Sequence, residues 1–171
     1  MTLKKFLIIL CCVLAAALLI AVLGRTDQGK NTVTFYYVRS QYAYGTEDGV
    51  IGSEQRDITG HENDLDYLLA LYLEGPLDSG LRSPFPGKSA TRILSQQRRG
   101  DALQIQLTDM TKVMSDSEFT LACACLTRTC LGMTKVLAVQ ITSGPRSIRM
   151  NPTNLVLFDE STAVKKPKTE E

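Results

Sequence analysis

Residues 65–87 constrain the fold more than any other stretch, because they join a saturated apolar helix to a proline-framed loop. Leu65, Leu68, Leu69, Tyr72 and Leu73 recur at i, i+3, i+4, i+7 and i+8, so one broad helical face must be buried. Thr59 followed by Glu62 reads as a capping box that opens this helix. Gly75-Pro76 closes it, since glycine reaches the left-handed conformation and proline cannot continue the ladder. Beyond the stop, Pro84 and Pro86 fix the backbone on either side of Phe85, an aromatic that favours burial. The helix and its loop are therefore expected to act as one rigid joint.

The other dominant segment is residues 6–23, which contain no charge and follow Lys4 and Lys5. As a helix the run would be roughly 27 Å long, close to the hydrocarbon thickness of a bilayer. Its Phe, Leu, Ile and Val residues favour insertion by about 4 to 7 kcal/mol. The two lysines bias the N-terminus to the cytoplasm and the bulk of the chain to the far side. Three fates are open to this segment. A retained anchor fits the length. A cleaved signal would use the neighbourhood of Val22, Leu23 and Gly24. A lipoprotein would need a small residue before its cysteine, whereas Cys11 follows Leu10 and Cys12 follows Cys11. The expected organisation is a cytoplasmic N-terminus over residues 1–5, an anchor or uncleaved signal over 6–23, and a tether over 24–31. One folded domain over 32–158 and a disordered charged tail over 159–171 follow.

Charge excludes one class of partner. Of the 19 basic residues, all but Lys4 and Lys5 lie beyond the apolar run, leaving 17 there against 18 acidic residues. Binding to nucleic acid needs a concentrated basic face, and this balance argues against it.

Along the domain, residues 32–38 alternate β-branched and aromatic side chains and read as a first strand. Residues 50–58 form a more polar strand, expected near a sheet edge. Residues 90–98 and 102–107 bracket Arg99-Gly100-Asp101 as a hairpin, and Leu103, Ile105 and Leu107 alternate with Gln104 and Gln106, so the second strand has one wet face. The Arg-Gly-Asp triplet is read as the turn, not as an adhesion motif. Ser115 and Glu118 form a capping box for a second helix, with Met114 and Phe119 as its hydrophobic staple. Its buried stripe is Phe119, Ala122, Cys123, Leu126 and Cys130, and Gly132 is the expected stop. Residues 135–142 follow as a strand centred on Leu137, Val139 and Ile141, residues 147–150 pair back, and 155–158 add an apolar segment. The fold class is α+β: a small mixed sheet with two helices packed on one face, preceded by a transmembrane helix.

Few residues offer chemistry. Cys123 and Cys130 share a helical face but stand roughly 10 Å apart along the axis, while Cys125 points about 160° away. They read as small apolar filling rather than a disulfide or zinc site. His61 lies near Glu62 and Asp64, but Leu65 stands where a metalloprotease helix would carry a second histidine. Ser79, Ser83 and Ser89 have no other histidine to activate them. No catalytic, cofactor-binding or metal-binding residue is assigned, and no cofactor is expected.

Taken together, the runs 68–76, 81–87, 103–107, 115–129 and 135–141 closely resemble the GerM-type sporulation and germination domain, over residues 33–148. The pairing of helix-Gly75-Pro76 with Pro84-Phe85-Pro86-Gly87 carries most of the resemblance. Cys130 departs from it, standing where that family has an aliphatic residue. The resemblance implies a fold similar to the ring-building motif of the channel between mother cell and forespore. It also implies a non-enzymatic, extracytoplasmic module that assembles with envelope or sporulation-complex proteins of endospore-forming bacteria. The expected placement is the cell membrane, reached through residues 6–23, with the domain outside the cytoplasm. The alternative is a module for cell-wall glycan or peptide, peptidoglycan included, with Tyr36, Tyr42 and Tyr44 as stacking surface.

Overall fold

The computed structural model describes residues 31–41, 49–87 and 90–155, and the described part from Thr32 onward falls in one compact unit. The expected anchor, most of the tether, the charged tail, Tyr42 and Tyr44 lie outside the described residues. Among the described residues no helix is long and apolar enough to cross a membrane.

The first strand is β1 (Thr32–Arg39), and β2 (Ile51–Asp57) pairs with it antiparallel along almost its whole length. After helix α1 (Leu65–Leu73), the short β3 (Leu81–Arg82) pairs only with Val38 and Arg39 of β1. The order β2-β1-β3 leaves polar β2 at an edge, as its composition requires. A second sheet follows in the order β4-β5-β6-β7, with β4 (Ile93–Arg99), β5 (Ala102–Leu107), β6 (Ala138–Ser143) and β7 (Arg146–Met150). The hairpin β4–β5 turns at Gly100, whose φ of 60° suits a glycine. Strands β5 and β6 run parallel, so the chain needs a crossover between them. Helix α2 (Asp116–Met133) supplies it, and the single turn α3 (Pro152–Leu155) ends the described chain.

Two sheets therefore replace the single sheet expected from the sequence, and α2 packs against β1 of the first as well as β6 and β7 of the second. This burial on more than one side extends the predicted stripe: besides Phe119, Ala122, Cys123, Leu126 and Cys130, the residues Ala124, Cys125, Thr127 and Thr129 are buried too. The core is one continuous cluster spanning both sheets.

Three boundaries also move. Thr59 and Glu62 do not cap α1: Thr59 hydrogen-bonds the Asp57 carboxylate, Glu62 accepts from Gly60 N–H, and the cap is Asp64, which accepts from Tyr67 N–H at 3.0 Å. Helix α2 runs past Gly132 to Met133, where the Thr134 N–H and hydroxyl both donate to the Cys130 carbonyl. The strand expected from residue 135 begins at Ala138, because Leu137 N–H is taken by the Asp101 carbonyl at 2.7 Å. Leu137 is consequently 66% exposed, not a core residue, while Val139 and Ile141 are fully buried.

Candidate functional site

The joint foreseen around residues 75–87 is built on the inner face of the first sheet. Val33, Phe35 and Tyr37 of β1 lie beside Arg56, Glu54 and Gly52 of β2 in register. Tyr72 of α1 stacks on Tyr37 with ring centroids 5.0 Å apart and planes 5° from parallel, and Phe35 and Phe85 meet Tyr72 edge to face. The Tyr37 hydroxyl donates to the Tyr72 carbonyl at 3.1 Å. Burial pushes both phenols well above their ordinary range, so they remain neutral donors.

A buried ion pair ties the Gly75-Pro76 stop to this face. Arg56 Nε and Nη2 both stand 2.6 Å from Glu54 Oε1, and Nη2 also donates to the Gly75 carbonyl at 2.7 Å. The other Glu54 oxygen accepts from Leu77 and Asp78 N–H, each at 3.0 Å. Gly75 has φ of +89°, a conformation open to glycine and strained for a side chain. The sequence located this loop but not its anchor, since Glu54 and Arg56 read only as polar residues of an edge strand.

The exposed side of the joint opens into a groove of about 370 Å³ between the 82–86 loop and the start of α2. Val38, Pro84, Phe85, Met114 and Leu121 line it, with Arg82 and Glu118 among its polar residues. Glu118 is committed to the helix cap: its carboxylate accepts from Ser115 N–H at 2.8 Å, and that hydrogen bond, with the one from the Ser115 hydroxyl, holds its pKa below the ordinary carboxylate value.

The edge of β1 left open beyond β3 is closed by the two helices. Tyr36 N–H donates to Thr129 Oγ1 of α2 at 3.0 Å, and the Tyr72 hydroxyl of α1 donates to the Tyr36 carbonyl at 3.0 Å. The Thr129 hydroxyl donates to the Cys125 carbonyl at 3.0 Å, which leaves its oxygen lone pairs to accept from Tyr36. The Tyr36 ring lies 5.8 Å from the Arg128 guanidinium.

Other candidates separate from one another. His61 stacks on Tyr67 at 3.8 Å, and its Nδ1 is 3.9 Å from Asp64 Oδ2, with both side chains about half exposed. Glu62, Asp64 and Asp66 border the same open depression. Cys123, Cys125 and Cys130 are free and buried, and burial raises each thiol from its ordinary 9.0 to about 12, which removes the reactive thiolate at neutral pH. Among the described residues no group of three or more histidines, cysteines and carboxylates could hold a metal ion. Ser79 contributes its carbonyl to the Ser40 hydroxyl, Ser83 lines the groove, and Ser89 lies outside the described residues.

No family model and no curated protein matches the sequence. Among solved structures the chain is similar to one called "Putative Lipoprotein from Clostridium perfringens", at 17% identity and a TM-score of 0.45, over 77% of this chain and 93% of that one. These values assign neither a family nor a function.

Proposed function

We propose that the chain is a membrane-tethered, extracytoplasmic and non-enzymatic module that assembles with other envelope proteins, in sporulation or spore germination. The observation that carries the reading is the uncharged run 6–23 behind Lys4 and Lys5, followed within a few residues by a strand that belongs to a folded unit. A single apolar run of that length inserts as a helix, and the lysines set its direction. The resemblance of residues 33–148 to the GerM-type domain supports the sporulation setting and a fold similar to the ring-building motif. The joint supports an assembly role, because α1 and the 75–87 loop are fixed before any partner arrives, which lowers the ordering cost of association.

Crosslinking in sporulating cells followed by mass spectrometry tests the partner claim: envelope proteins are the expected catch, and their absence sinks it. Mass measurement on the membrane fraction tests the tether. An intact N-terminus is expected, a shortened chain argues for a cleaved signal, and an added diacylglyceryl mass argues for a lipoprotein. A deletion that sporulates and germinates normally would remove the developmental setting.

A further inference from the structure

The described chain ends on the same side of α2 as the groove. Leu155 is 4% exposed, and its carbonyl accepts from the Arg128 guanidinium at 3.4 Å. That guanidinium also lies over the Tyr36 ring. Arg128 stands seven residues beyond Leu121, which is two helical turns and roughly 10 Å along one face of α2. Tyr36 and Val38 likewise share one face of β1, roughly 7 Å apart. Leu121 and Val38 both line the groove. By either route, about three residues of extended chain separate the Leu155 carbonyl from the groove wall.

The three residues that follow are Val156, Leu157 and Phe158, with Asp159 and Glu160 after them; all five lie outside the described residues. We propose that this apolar segment turns back along α2 and seats Phe158 in the groove, so that the chain closes its own surface. Reach allows it, since three extended residues span roughly 10 Å and Leu155 can stay on Arg128 while Phe158 meets Leu121. Surface chemistry favours it. Pro84, Phe85 and Met114 offer a phenyl ring proline, aromatic and thioether contacts, and Val113 at the rim is 56% exposed. Docking removes that surface and the ring from water together. Charge agrees in sign, because Arg82 lines the groove and two carboxylates follow Phe158, while the Glu118 carboxylate is already engaged by Ser115. Attachment at Leu155 gives the segment an effective concentration of the order of millimolar, an advantage that no separate chain shares. Any protein that uses this groove must therefore first displace residues 156–158. The inference needs neither the membrane tether nor the developmental setting.

The chain contains no tryptophan, so Phe158→Trp in the full chain, purified in detergent, carries a single fluorescent reporter. Blue-shifted emission and protection from acrylamide quenching are expected. Leu121→Lys, on the groove wall, should weaken docking about tenfold and return the emission to that of a solvated indole. Val113→Lys should act in the same direction from the exposed rim, where the core is not disturbed, and thermal denaturation shows whether each variant is folded. A solvated reporter in the parent chain overturns the proposal. So does protection that survives the folded lysine variants, since detergent or another surface would then cover the ring. Protection lost on dilution would overturn it as well, by giving the groove to the end of a second copy. Failure to crosslink envelope proteins would defeat the assembly reading and leave this measurement untouched.

Discussion

The two longer helices reach burial by opposite means. Helix α1 is nine residues long and buries only Leu68, Leu69 and Tyr72, while Ala70 and Asp66 remain exposed. Its position depends on polar attachments at its end: the Tyr72 hydroxyl and carbonyl, and the Arg56–Glu54 pair beyond it. Helix α2 is twice as long and is buried over most of its circumference, with Ala122, Cys123, Ala124 and Cys125 fully enclosed in succession. Small side chains let two sheets approach it, and there apolar fit replaces polar fastening. The difference teaches that a saturated leucine face need not mark the centre of a fold. The centre here is the run whose side chains are small enough to be surrounded.

Alkaline pH should test the enclosure of α2 most directly. Cys123, Cys125 and Cys130 of α2 are each raised from 9.0 to about 12 in the folded state. Below the lower value the thiols are protonated in both states and their contribution is complete. Above it the unfolded chain releases protons that the folded chain retains, so stability falls as pH rises toward the higher value. Urea midpoints should therefore drop across this window, and less steeply in a Cys123→Ala/Cys125→Ala/Cys130→Ala chain; equal slopes would mean the thiols are not enclosed. On α1, Leu69→Asp places a charge where the side chain is 1% exposed, at a cost of about 3 to 5 kcal/mol. A soluble, fully folded Leu69→Asp protein would show that this face is not core. Arg56→Met leaves Glu54 with only the Leu77 and Asp78 N–H donors and should cost about 3 kcal/mol, the lower end for a broken buried pair. Hydrogen exchange should show loss of protection at Leu77 and Asp78, whereas an unchanged pattern would deny the fastening role. Thr129→Val strands the Tyr36 N–H at the helix–strand contact and should cost about 1 to 3 kcal/mol in chemical denaturation. No change would mean that water replaces the hydroxyl.

Local signals in the chain were legible wherever the deciding partner lies within a few residues. Ser115 and Glu118 form the expected capping box, the Gly100 turn joins the expected hairpin, and Gly75 takes the expected positive φ. The start of α1 was misread because Thr59 and Asp64 are both good caps, and the choice fell to Asp64 while Asp57 engaged Thr59. The strand at residue 135 was misread because its alternation continues through Leu137, whose N–H a distant carbonyl claims. Of the outer face of the second sheet, the sequence revealed only that Gln104 and Gln106 point away from Leu103, Ile105 and Leu107. Gln97 and Gln140 join them through strand pairing that no local pattern encodes.

By itself, then, the sequence determined the strands other than β3, the two longer helices, the Ser115 cap of α2, the closed joint at Gly75-Pro76 and the apolar character of residues 6–23, because periodicity and turn chemistry act over short range. Tertiary structure alone decided that two sheets share one helix, that Arg56 and Glu54 hold the Gly75 loop, and that Thr129 and Tyr72 close the edge of β1. These depend on groups 19 to 93 residues apart in the chain. Which of many compatible donors, acceptors and small side chains meet at that distance is fixed only when the whole core closes.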